Sequence, residues 1–182
     1  MFIETEQTPN PATLKFLPGR AVMARGTADF VAAEAASNSP LAQRLFQIEG
    51  VAGVFLGSDF VTVTKSDSKS WPVLKPAILG IIMEHFAGNR PVMLEETAAP
   101  PPAEDEDEIT AQIRELIDTR VRPAVAQDGG DIIFQGFKEG VVYLHMQGSC
   151  SGCPSSTATL KMGIENMLKH YVPEVVEVRQ VA

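Results

Sequence analysis

Cys150 and Cys153 are the only cysteines in this 182-residue chain, and both fall in the run Gly148-Ser149-Cys150-Ser151-Gly152-Cys153-Pro154-Ser155-Ser156. Two intervening residues let both sulfurs face one centre, and the flanking Gly and Ser residues allow the backbone to turn tightly and aim N–H groups at sulfur. Cys153 also precedes a predicted helix, whose unpaired N–H groups carry partial positive charge and lower a thiol pKa. Reactive thiolates are therefore expected.

Such a pair fits metal or cluster ligation, thiol–disulfide exchange, or a structural role. Two thiolates fill half of a tetrahedral sulfur site, and no third cysteine completes it in one chain. Two copies related by a two-fold axis would bring four thiolates together around one iron–sulfur cluster or one zinc ion. Exchange chemistry would use the same residues, with Cys150 as the more exposed attacker. Against it, a hairpin rather than a βαβ unit precedes the pair, and no lysine or aromatic residue flanks it. Spacing alone does not choose between cluster and zinc.

The elements around the pair follow from periodicity. Ile109, Ile113, Leu116, Ile117 and Val121 recur at helical spacing until Pro123, which is expected to stop the pattern. Residues 131–137 and 141–146 read as strands around Lys138-Glu139-Gly140. A helix from about Ser155 to His170 places Leu160, Ile164, Met167, Leu168 and Tyr171 on one face, and the terminal VVEVRQV reads as a strand. The order α-β-β-α-β results.

A second, separate unit precedes this one. β-rich segments at 2–6 and 12–17 flank a bend at Pro9 and Pro11, helical patterns follow at 27–36 and 40–48, and VAGVFLG and FVTVTK form a second hairpin. Ser70 is the expected cap of a helix with Leu74, Ile78, Ile81, Ile82 and Phe86 on one face. Between the units, residues 98–108 read AAPPPAEDEDE: consecutive prolines favour extended geometry and five consecutive acids repel one another, as in a solvated linker. The expected architecture is α+β in two small domains, 1–97 and 109–182, joined by that linker.

Charge and composition narrow the function classes. The net charge is −8, the wrong sign for non-specific binding to phosphate backbones, so no nucleic-acid partner is expected. Segment 98–108 carries five acids and no base, against eight bases and ten acids before it and seven and eight after it. No apolar run approaches the ~18 residues of a membrane span, so no membrane partner is expected. The opening MFIETEQTPNP has neither a secretory h-region nor an Arg-rich presequence, so the chain as written is expected to stay in the compartment where it is made. Two cysteines are too few for a secreted disulfide framework and point to a reducing compartment.

Other residues have plainer readings. Asp128 and Asp131 around Gly129-Gly130 read as a turn rather than hard-metal ligands. His145 reads as a strand residue, Trp71, Met162 and Met167 as packing residues, and Ser155, Ser156 and Thr157 as helix caps with no general base beside them.

Taken together, the second half resembles the NifU C-terminal (Nfu) domain. The residues that carry the likeness are Arg122-Pro123, Asp128-Gly129-Gly130-Asp131, and Gly148-Ser149-Cys150-Ser151-Gly152-Cys153-Pro154. The first half resembles the Nfu N-terminal domain through Thr8-Pro9-Asn10-Pro11 and Leu14-Lys15-Phe16. The resemblance implies a non-enzymatic iron–sulfur scaffold or carrier. In that family a homodimer holds a [4Fe–4S] cluster between two C-x-x-C loops, here Cys150 and Cys153, receives it from an upstream donor and passes it to apo-proteins. It implies a cytoplasmic setting in a bacterium, or the mitochondrial matrix for a mature eukaryotic form. Full NifU carries a further cysteine-bearing domain. Residues 1–97 have no cysteine, so partner docking is the role expected of them.

Overall fold

A computed structural model describes residues 2–94, 106–150 and 154–181, with the backbone alone for 154–156. The linker expected at 98–108 lies outside the described residues except for its last three. The chain forms two compact units, Met1–Ala99 and Pro100–Ala182.

In the first unit, strands β1 (Glu4–Gln7), β2 (Thr13–Leu17), β3 (Ala28–Phe30), β4 (Val51–Leu56) and β5 (Val61–Lys65) form an antiparallel sheet in the order β1-β2-β5-β4-β3. Helices α1 (Pro40–Phe46) and α2 (Trp71–Ala87) complete it. Leu74, Ile78, Ile82 and Phe86 recur one helical turn apart, and α2 buries them in the same cluster as Leu14, Phe16 and Val63 of the sheet. Ser70 stands at the N-cap as expected, but its hydroxyl makes no capping bond. Ser39 does cap α1, accepting from the Ala42 amide at 3.2 Å while its hydroxyl donates to the Val92 carbonyl at 2.7 Å.

One expected helix is absent. Within 27–36, residues 28–30 are strand β3, paired with Val54–Leu56, and only Ala33–Ala36 turn, as a single 3₁₀ segment. Alanine favours helix, but pairing at the sheet edge satisfies this backbone and buries Phe30 in the core, which overrides a weak local preference.

The second unit runs α3 (Glu108–Leu116), a π-helical turn (Ile117–Val121), α4 (Arg122–Gln127), β6 (Gly130–Lys138), β7 (Val141–Gly148), α5 (Pro154–Tyr171) and β8 (Glu177–Val181). The expected α-β-β-α-β order is present. β6 and β7 are antiparallel through a two-residue loop in which Glu139 and Gly140 both take positive φ, and α5 crosses over so that β8 joins β7 in parallel. Pro123 does not stop the first helix. The wider π turn precedes it, and Pro123 falls in the first turn of α4, where a missing N–H costs little. Ile113, Ile117, Val121 and Val125 thereby stay on one face, packed with Ile132, Leu144, Leu168 and Val178.

His85, near the end of α2, is wholly buried. Its Nε2 lies 3.0 Å from the Pro91 carbonyl and donates to it, while Nδ1 finds no hydrogen-bond partner among the described residues. Burial, and secondarily the charges of Arg44 on α1 and Arg90 beyond α2, hold its pKa below 6.5. The unfolded chain takes up a proton near pH 6.5 that the folded chain resists, so stability is complete above that pH and declines as pH falls below it. Calorimetry of the intact chain is expected to show the first unit's melting temperature dropping between about pH 7.5 and 5.5. A His85→Gln variant is expected to start from a lower value with a shallower slope; an unchanged slope would refute the assignment.

Candidate metal centre at the Cys150 loop

The first half of the cysteine site is built on the hairpin and the helix before it. Gly130 opens β6 opposite Gly148, which closes β7. A Cβ added to Gly130 would lie 2.6 Å from Cys150 Sγ and 2.8 Å from the Gln147 carbonyl oxygen, so the sulfur rests directly on this glycine's backbone. Gly129, at φ +80°, turns the chain into that position. Two bonds tie the cysteine loop down: the Ser149 amide donates to the Gly129 carbonyl at 3.3 Å, and the Ser149 hydroxyl donates to the Asp128 carbonyl.

Asp131 completes this floor and is 3% exposed. Arg122 of α4 clamps it with two parallel bonds of 2.9 Å, Nε to Oδ1 and Nη2 to Oδ2, and the Ile132 amide adds a third at 2.8 Å. Asp118, one helical turn before Arg122, lies 3.4 Å from its Nη1. The Arg-Pro and Asp-Gly-Gly-Asp segments are thus one assembly beneath Cys150. From the other side, the Thr157 hydroxyl in the first turn of α5 donates to the Cys150 carbonyl at 3.0 Å.

Cys150 is only 6% exposed. Burial, helped by the Asp128 and Asp131 carboxylates and opposed by a hydrogen bond with Ser149, pushes its thiol up to about 11. This corrects two expectations: Cys150 is not a reactive thiolate at neutral pH, and it is not an exposed attacker. The sequence pattern shows the helix start but not the apolar floor, and desolvation by that floor governs Cys150. Ser151, Gly152 and Cys153 lie outside the described residues, as do the side chains of Ser155 and Ser156.

The plainer readings mostly hold. Asp128 and Asp131 are turn and ion-pair residues, and among the described residues no group of three or more His, Cys, Asp or Glu side chains converges as a metal site. His145, in β7, lies with Nδ1 3.4 Å from the Val181 carbonyl of β8. Met167 packs against the core, whereas Met162 is 66% exposed and does not. Trp71 is half-buried, and its Nε1 donates to the Pro11 carbonyl at 3.1 Å. Sequence reasoning missed Arg122, Ser149 and Thr157 as supports of the cysteine loop. The only local signal is the glycine pair, whose purpose appears once β7 returns beside β6.

Two substitutions test this construction by chemical denaturation. Gly130→Ala forces a methyl group into the sulfur and is expected to destabilise the second unit by about 1–3 kcal/mol. Arg122→Ala leaves the Asp131 carboxylate buried without its fork, at an expected cost on the order of 2–3 kcal/mol. Wild-type midpoints for both would show that the assembly supports nothing.

Comparison with known proteins follows this division. The family model described as "Scaffold protein Nfu/NifU N terminal" matches residues 3–89, and the "NifU-like domain" model matches residues 113–179. The human protein named "NFU1 iron-sulfur cluster scaffold homolog, mitochondrial" is 53% identical over 183 residues, covering 100% of this chain and 72% of the human one. "NifU-like protein 4, mitochondrial" from Arabidopsis thaliana is 53% identical over 186 residues, covering 99% of this chain and 66% of its own length. A Drosophila virilis relative bearing the same name as the human protein is spanned over 62% of its length. A NifU-like protein from Saccharomyces cerevisiae, solved by NMR, aligns with 31% identity and a TM-score of 0.48, over 53% of this chain and 87% of that one.

Proposed function

This chain belongs to the Nfu/NifU family of scaffold proteins, and from that premise we propose that it carries iron–sulfur clusters, binding one [4Fe–4S] unit between Cys150 and Cys153 of two protomers. The observation that carries the reading is the seat of Cys150: a sulfur resting on a glycine, in a loop tied down by Ser149 and Thr157. With two cysteines in the chain, four thiolates require two copies.

The cluster is cargo, and the residues' task is to hold it and let it go. Ser149, Gly129 and Thr157 fix the Cys150 backbone without bonding the cargo, so an acceptor's thiols can replace the carrier's one pair at a time while both units stay folded. Each exchange breaks one iron–thiolate bond, forms another, and moves a proton from the acceptor's thiol to the carrier's sulfur. The first unit docks the donor or the apo-client, and the joint between the units raises the effective concentration of cargo at that client. The setting is the bacterial cytoplasm or, for a mature eukaryotic form, the mitochondrial matrix, in line with the mitochondrial names of relatives.

Thiol–disulfide exchange by the same pair is the weaker reading. An efficient attacker has a pKa near ambient pH and access to its target, whereas the Cys150 thiol is buried and pushed to about 11.

Anaerobic reconstitution with iron and sulfide, followed by an absorption spectrum, metal analysis and mass measurement, tests the proposal. About four irons and four sulfides per dimer are expected, with loss of both in Cys150→Ala. A metal-free monomer that reduces disulfides, or a colourless zinc-bridged dimer, would overturn it.

A further inference from the structure

We infer that the groove between β1 and the start of α2 docks an extended segment of a partner protein, which adds as a strand to the edge of β1 and alternates apolar with basic side chains. The inference takes the partner-docking role of the first unit as its premise and specifies the chemistry of the partner.

β1 is an edge strand that pairs only with β2 among the described residues. Beside it, on the helix side of the sheet, lies a cavity of about 680 Å³ walled by Gln7, Pro9, Pro11, Leu14, Trp71 and Lys75, among others. That volume is in the range of ligand clefts and accommodates a few side chains. Backbone edge and side-chain groove together are what strand addition needs: main-chain bonds supply affinity and alternate side chains supply specificity.

The walls are already set. The Thr8 hydroxyl lies within hydrogen-bond reach of the Asn10 and Thr13 carbonyls, at 2.8 and 2.9 Å. The Asn10 side-chain oxygen accepts from the Ala12 amide at 3.0 Å, and Trp71 is bonded to the Pro11 carbonyl. A partner therefore does not have to order this loop on binding.

Charge decides the occupant. Glu6 faces Lys15 across the β1–β2 pairing, at 3.4 Å, so Glu4 and Glu6 project from the sheet face opposite the groove, whereas Thr5 and Gln7 share the groove face with Phe16 and Leu14. Two β1 strands paired with each other would bring these acids together, and like charges placed opposite are destabilising, which argues against a second copy. Lys15, buried over the Phe60 ring 4.8 Å from its centre, offsets much of the Glu6 charge, so Glu4 is the stronger draw for a basic side chain. On the groove face, Lys75 is the one charged lining residue and repels cations. Basic side chains are thus drawn to the outer face, at Glu4 above all, and apolar ones to the groove, which sets the parity of the incoming strand.

Trp71 is the only tryptophan and stands in the groove wall, so its fluorescence reports binding. The intact chain is titrated with acetyl-Lys-Leu-Lys-Val-Lys-Leu-amide. A saturable change in emission is expected, weakened at least about tenfold when alternate peptide amides are N-methylated. The Glu4→Lys/Glu6→Lys variant is expected to lose about tenfold for this peptide and to prefer acetyl-Glu-Leu-Glu-Val-Glu-Leu-amide. Glu4→Lys alone, which leaves the Lys15 pair intact, is expected to shift preference in the same direction by less. No saturable change, equal binding of the N-methylated peptide, or indifference to charge reversal would each overturn the inference. Cluster loading measured on the same samples separates the two readings: normal loading without peptide binding sinks docking alone, and peptide binding without loading sinks the carrier reading alone.

Discussion

A carboxylate taken out of water must be matched, and Asp131 is the place where the second unit meets that demand. Arg122 answers it with a bidentate fork, which fastens the start of α4 to the first residues of β6. Pro123 beside it sits in the first turn of α4, directly after the π turn, where its missing N–H costs little. With helix and strand pinned, the Gly129-Gly130 turn has one path, β7 closes opposite it, and Cys150 comes to rest on Gly130. Loosen the ion pair and each later placement loses its reference.

The same burial that seats Cys150 also governs its chemistry. The thiol keeps its proton well above neutral pH, because a thiolate there would be poorly solvated and would face two carboxylates. A metal held by the sulfur would reverse that balance by stabilising the thiolate directly. A buried, protonated thiol fits the proposed carrier role better than redox catalysis, which needs its thiolate in advance.

The two units divide two physical tasks. The cysteine unit holds the Cys150 loop through backbone and ion-pair contacts. The other unit has no cysteine and instead presents a pre-set groove beside an open strand edge. Its buried His85, whose pKa burial lowers, ties α2 to the segment at Pro91.

Much of this was legible in the residues themselves. Apolar spacing located α2, α5 and the hairpins, and the paired cysteines marked the site, because those signals are local and depend on periodicity or covalent distance. Ala28–Phe30 read as helix and proved to be strand, since edge pairing with β4 outweighs alanine's preference. Pro123 read as a stop and proved to be an internal first-turn residue, since a π turn has no sequence signature of its own. Arg122 with Asp131, and Gly130 under Cys150, join residues 9 and 20 positions apart. Only tertiary structure decides such contacts, and burial, which sets the state of the thiol, exists only once the chain has folded around it.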